Sequence, residues 1–211
     1  MKKVILSILA VAVIGFAMAQ SKFDAAMEKG ISEVYKANSQ EAFQSSANYF
    51  ERISNAEKEE WLPNYYAAYA LIMKAFTGAP ADQQIALANK ADEFLARAES
   101  LSPNNSEVSV LQSMVVVVYL QNDQANAMTL GPKATQIVQK AISQDAGNPR
   151  AYMQLAQMLY HTPTAFGGGK EPGLKALDKS IDAYHNFKPS GKFAPMWGEA
   201  YARQLKEEWS K

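Results

Sequence analysis

Cysteine does not occur in the 211-residue chain. Its absence excludes disulfides, thiolate metal sites, a thiol nucleophile and a cysteine-borne lipid. Histidine is nearly absent too. His161 and His185 stand alone, 24 residues apart, without the H-E-x-x-H or i, i+4 spacing that sets two imidazoles on one helix face. No metal and no cofactor is therefore expected. Neither charge is in excess, with 21 basic and 21 acidic residues, and no basic stripe runs along the chain. A nucleic-acid partner, whose affinity would grow from phosphate contacts, is not expected. The G-x-S-x-G elbow and the S-x-x-K arrangement are missing as well. Glu59 and Glu60, just ahead of Trp61, are explained by the preference of a helix N-terminus for negative charge. No catalytic residue is nominated, and the chain is not expected to be an enzyme.

Long hydrophobic runs are confined to the first residues, MKKVILSILAVAVIGFAMA, where Lys2 and Lys3 precede an apolar stretch from Val4 to Phe16 and Ala17-Met18-Ala19 offers a small-x-small cleavage pattern. This reads as a secretory signal peptide over 1–19. It is too short to span a bilayer comfortably, and nothing further along has the roughly 20 apolar residues a spanning helix requires, so no stable membrane insertion is expected. The expected location is periplasmic or secreted, since a cysteine-free exported chain suits the Gram-negative periplasm. Residues 20–211 keep 19 basic and 21 acidic groups, a net −2, and are enough for one domain with a sizeable core.

What those residues do contain is a repeat. Pro63-Asn64-Tyr65-Tyr66-Ala67-Ala68-Tyr69-Ala70 resembles Pro149-Arg150-Ala151-Tyr152-Met153-Gln154-Leu155-Ala156 at an offset of 86, twice 43. Ala91, Leu95, Ala98 and Pro103 lie 43 residues before Ala134, Val138, Ala141 and Ala146, which lie 43 before Leu177, Ile181, Tyr184 and Pro189. Each unit reads as two amphipathic helices, the first near 62–76, 106–121 and 149–161, the second near 81–101, 125–144 and 171–187. A degraded first unit with Phe23, Phe43, Ala47 and Phe50 precedes them. The β-branched run Val115 to Val118 favours a strand, but a central helix buried on two sides tolerates it. The predicted fold is an all-α solenoid of about four antiparallel hairpins, with units near 22–60, 61–103, 104–146 and 147–190. A capping segment over 195–211 carries a helix from Met196 to Trp209.

A large aromatic at Tyr66 and Tyr152, a small residue at Ala70 and Ala156, and the Ala91, Leu95, Ala98, Pro103 series together resemble the tetratricopeptide repeat. The chain departs from that family in its 43-residue period, in Ser109 and Ser113 at the aromatic and small positions, and in Ala146 for proline. The resemblance implies a non-catalytic interaction module that binds a protein or peptide segment along a concave face built from first helices. Carried over position by position, that face comprises Asn64, Ala67, Leu71, Lys74 and Ala75, then Glu107, Val110, Met114, Val117 and Val118, then Arg150, Met153, Gln157, Tyr160 and His161. Flexible methionines suit peptides or apolar ligands, and Arg150 suits a carboxylate. The alternative is that the valines pack inward and leave no continuous groove. The aromatics Trp61, Tyr65, Tyr66 and Tyr69 fit a ligand box less well than core packing.

The stretch HTPTAFGGGKEP, residues 161 to 172, falls at a hairpin turn, like Thr77-Gly78-Ala79-Pro80 and Gly131-Pro132. Glycine ends one helix there and proline opens the next. It lacks the strand and the G-K-[ST] ending of a nucleotide loop. An anion-binding turn at Gly167, Gly168, Gly169 and Lys170 is the remaining functional reading. The loop is also similar to one in the periplasmic T components associated with some TRAP transporters. That resemblance implies the second reading of function, a small-ligand carrier serving a transport system.

Overall fold

The computed structural model describes residues 20–211; the leader predicted over 1–19 lies outside them. The described residues form nine α-helices and no strand: α1 over 20–36, α2 Gln40–Ala56, α3 Trp61–Phe76, α4 Ala81–Leu101, α5 Ser106–Asn122, α6 Ala127–Gln144, α7 Pro149–His161, α8 Lys170–Asn186 and α9 Glu199–Ser210. Four antiparallel hairpins stack as a solenoid and α9 caps the last. Among the described residues no helix is long and apolar enough to cross a membrane.

The 43-residue frame is visible in the helix starts. Asn105 and Asn148 occupy equivalent N-caps, and each side-chain oxygen accepts the N–H two residues on, of Glu107 and of Arg150, at 2.9 Å. Ser39 caps α2 in the same spirit, accepting from the Ala42 N–H at 3.2 Å. The frame is equally visible in the core. Ala70, Ala91, Ala98, Ala134, Ala141 and Ala156 are fully buried where helices approach closely, with Leu95, Val138 and Leu177 between them. Gly30 serves the same end between α1 and α2, because a Cβ there would sit 2.8 Å from the Phe50 ring. Val115 to Val118 stay helical within α5, which is packed against both α3 and α7 as well as α4 and α6. Burial on several sides overrides the local preference for a strand.

Two boundaries differ from the sequence reading. The second hairpin turns at 122–126 and not at Gly131-Pro132, which lie inside α6. Asp123 decides this: its carboxylate accepts from the Asn126 N–H at 3.3 Å and from the Asn126 amide at 2.7 Å, closing a polar turn five residues before the glycine. Pro132 is accommodated by forgoing one helix bond, while the Gly131 carbonyl gains the Thr135 hydroxyl at 3.1 Å. The last helix begins at Glu199 and not at Met196, because Gly198 adopts φ +105° and the backbone before it is engaged elsewhere.

That earlier backbone, residues 187–198, is a strap that reaches from the end of α8 back to α1. Phe193 meets Phe23 edge-on at 5.9 Å and joins the main core, while Lys192 pairs with Asp24 and Glu28 at 2.8 Å each. Burying one phenylalanine contributes about 1.5–3 kcal/mol, whereas exposed ion pairs are screened by solvent, so the aromatic anchors the strap. A second core lies at the other end, where Trp209 of α9 stacks on Tyr160 of α7 at 3.9 Å between ring centres, beside Ala202 and Leu205.

Candidate functional site

The strap lies across the first helices of the hairpins, and its bonds are made largely by tyrosines of α1 and α3. The Met196 N–H donates to the Tyr35 hydroxyl at 3.0 Å, Tyr35 and Tyr66 hydroxyls are 3.2 Å apart, and Tyr66 donates to the Phe193 carbonyl at 2.9 Å. Since the Tyr66 proton goes to Phe193, Tyr35 is the donor between the two phenols. The chain of bonds thus leaves the strap at Met196 and returns to it at Phe193. Burial raises the pKa of Tyr35, Tyr66 and Tyr69, so all three phenols stay protonated across the physiological range and keep their donors.

Trp197 is held from more directions. Its indole N–H donates to the Tyr65 hydroxyl at 2.8 Å, its carbonyl accepts from the Tyr184 hydroxyl at 3.0 Å and from Arg150 Nη1 at 3.4 Å, and its ring leans on Tyr69 with centres 5.0 Å apart. The Arg150 side chain is 0% exposed and grips Glu107 with Nε at 2.8 Å and Nη2 at 2.5 Å. Burial pulls the Arg150 pKa down, and the hydrogen bonds and charge of Glu107 more than reverse that, so its pKa is raised and the group is charged. Its guanidinium also lies over the Phe187 ring, 4.5 Å from the centre.

Beside Trp197 the strap and the start of α9 leave an open cleft of about 610 Å³, lined by Tyr35, Tyr69, Met196, Trp197, Tyr201 and Arg203 among others. Met196 and Tyr201 are exposed, at 56% and 45%, and Arg203 is held by Glu199 at 2.8 Å one helical turn away. The cleft is thus bordered by aromatic side chains, a flexible thioether and an arginine paired with Glu199.

The residues that the sequence placed on a concave face are distributed differently. Glu107 and Arg150 do meet, but as a buried pair facing each other. Asn64, Met114 and Met153 are buried, along with Ala67, Leu71, Ala75, Val110 and Val118, while Val117 is half-buried. First helices pack against one another and under the strap, so these positions face protein. Lys74 donates to Gln44 at 2.8 Å, Gln157 accepts from the Tyr201 hydroxyl at 3.3 Å, Tyr160 lies beneath Trp209, and His161 is exposed with its ring edge toward Tyr160. Of the aromatics weighed as a ligand box, Tyr65 and Tyr66 are fully buried, and Tyr69 reaches the cleft. Neither histidine lines the cleft.

The Gly-rich turn is accounted for by geometry. Gly167 and Gly169 have φ of +80° and +115°, and a Cβ on Gly168 would lie within 2.6 Å of Thr162 backbone atoms. The glycine N–H groups donate to the carbonyls of Thr164, Pro163 and Leu159, at 3.0, 3.2 and 2.8 Å. With all three engaged, the turn presents no glycine N–H to an anion, and Lys170 stands exposed beside it.

What the sequence reading missed is the strap. Its signal was present: Phe193 and Trp197 are large aromatics in a stretch otherwise rich in proline, glycine, serine and lysine, where solvent-facing turns rarely spend them.

Fold and site together define an all-helical hairpin solenoid that a C-terminal strap closes end to end, with an aromatic cleft at the closure. The solved structure of the HusA haemophore from Porphyromonas gingivalis is similar throughout, at 32% identity and a TM-score of 0.81, over 89% of this chain and 92% of that one. The chain belongs to the HusA haemophore family. No protein-family model matches it, and no curated protein does.

Proposed function

We propose that the protein is a non-catalytic carrier of a planar, acidic, largely apolar ligand of the porphyrin class, exported by its leader to the periplasm or beyond. The reading rests on one observation, the Tyr35, Tyr69, Met196, Trp197 and Tyr201 cleft with Arg203 at its rim, in a chain related to a haemophore. The aromatic walls stack on the ring face and Arg203 exchanges Glu199 for a ligand carboxylate. With both histidines outside the cleft, apolar contact and charge pairing provide the affinity, and the Met196 thioether and the Tyr201 phenol would be among the groups on offer to a ligand's metal. The hairpins are, on this reading, divergent tetratricopeptide-like units whose first-helix face is filled by their own strap. A partner segment lying along that face would have to displace Phe193 and Trp197 from it, which makes a protein-binding groove the less favoured function.

Titration of residues 20–211 with hemin and with metal-free protoporphyrin, followed by tryptophan quenching and by the porphyrin absorption band, tests the reading. Saturable one-site binding that is weakened at least tenfold by Trp197→Ala and by Arg203→Glu is expected. Absence of saturable binding by either porphyrin, or binding indifferent to both substitutions, refutes it.

A further inference from the structure

We infer that the buried Glu107–Arg150 pair, with Tyr65, is a positioning device for Trp197. The inference rests on the porphyrin-cleft reading for its consequence, although its geometry stands independently. The hydrogen bonds form a closed circuit that starts and ends on one residue. The Trp197 indole N–H donates to Tyr65, Tyr65 donates to Glu107 Oε2 at 3.4 Å, Glu107 is gripped by Arg150, and Arg150 donates to the Trp197 carbonyl. Side chain and main chain of Trp197 are thus both tied to the Glu107–Arg150 pair, and Tyr184 adds a second donor to the carbonyl at 3.0 Å. The Tyr69 ring already packs against the indole, and the bond to Tyr65 fixes the direction of its N–H.

The circuit draws its members from α3, α5 and α7, the first helices of three successive hairpins. Asn64, Glu107 and Arg150 occupy the same position of the 43-residue frame, and Tyr65 follows directly on the first of them. The stack as a whole therefore dictates where the indole stands. Arg150 is too deep to meet a ligand itself, and it acts through Trp197. Its carboxylate is supplied from within the protein, so a ligand does not compete for it. The ligand meets a wall already in place, and the cost of ordering that wall was met on folding.

The test reads the indole directly. In ¹H–¹⁵N spectra of residues 20–211, the Trp197 indole N–H is assigned with Trp197→Phe, and its hydrogen exchange is followed without ligand in Tyr65→Phe and Glu107→Gln. Val138→Ala, a core truncation on α6, serves as a control for destabilisation alone. Exchange faster by about tenfold or more in the first two variants, with no change in Val138→Ala beyond its loss of stability, is the expected result. Unchanged exchange in Tyr65→Phe and Glu107→Gln overturns the inference whatever the ligand. Hemin affinity is then measured on the same variants: a rise in Kd of about tenfold in Tyr65→Phe, with Val138→Ala unaffected, supports the inference. An unchanged Kd in Tyr65→Phe, set against loss of binding in Trp197→Ala, overturns the positioning role and leaves the cleft reading intact. Loss of the indole bond together with equal hemin binding in wild type and Trp197→Ala upholds the positioning of Trp197 and sinks the cleft reading.

Discussion

Replacing Glu107 with glutamine removes one charge and almost no volume. The side chain it faces, Arg150, is 0% exposed, and Glu107 itself is only 14% exposed, so water cannot take over the lost charge. Breaking a buried ion pair from one side costs about 3–5 kcal/mol, because the remaining ion is left uncompensated. Glutamine retains one carbonyl oxygen able to accept from Arg150, which places the variant at the lower end, about 3 kcal/mol. For a domain of this size each kcal/mol moves Tm by about 2–4 °C, so Tm falls by about 6–12 °C. The assay is thermal and urea unfolding followed by helical circular dichroism. Lys140→Gln is the reference, since its pair with Glu99 is 46% and 42% exposed and contributes at most about 1 kcal/mol. The double variant Glu107→Leu, Arg150→Met removes both charges and recovers most of the loss, as apolar replacement of a buried pair does. A Tm within about 2 °C of wild type for Glu107→Gln would refute the burial argument, since that is the response of a solvated pair.

The Gly-rich turn separates two kinds of strain. Gly167→Ala meets no neighbour but must hold a positive φ, costing about 1–2 kcal/mol, whereas Gly168→Ala drives a Cβ into the Thr162 backbone and costs more; urea midpoints order the two variants, and phosphate stabilises neither wild type nor variant if the turn is purely structural. Trp209→Ala strips the ring stacked on Tyr160 and costs about 3–5 kcal/mol, freeing α9 to exchange its amides before the rest of the solenoid, as hydrogen exchange resolved by residue checks. The Glu99 carboxyl is held below its usual range by hydrogen bonds from Gln112 and Lys140, so its contribution is present above the unfolded value near about 4.3 and is lost as pH falls through the lower folded value. Glu99→Gln is therefore slightly less stable than wild type at pH 7, and the difference shrinks in unfolding curves taken below pH 4; a difference that grows in acid contradicts the sign.

The sequence by itself determined the class of fold, the helices and the frame that stacks them. Small and apolar residues recurring every 43 positions can be satisfied only by helices that bury the same stripe in each hairpin, and Asn105 and Asn148 mark equivalent helix starts without reference to anything distant. It also set Glu107 and Arg150 in equivalent positions of neighbouring units, which makes them neighbours in space. Tertiary structure alone decided which way they face. An arginine beside a carboxylate reads equally well as the edge of a groove or as a buried pair, and the choice falls to whatever covers it. Here the cover is a strap from the far end of the chain, whose Lys192 lies 168 residues from Asp24. Beyond Pro189 the strap has no periodicity to read: its position follows from the packing of Phe193 and Trp197 against aromatic side chains of the first two hairpins. The cleft inherits that limit, since its walls come from α1, α3, the strap and α9, which only the closed stack brings together.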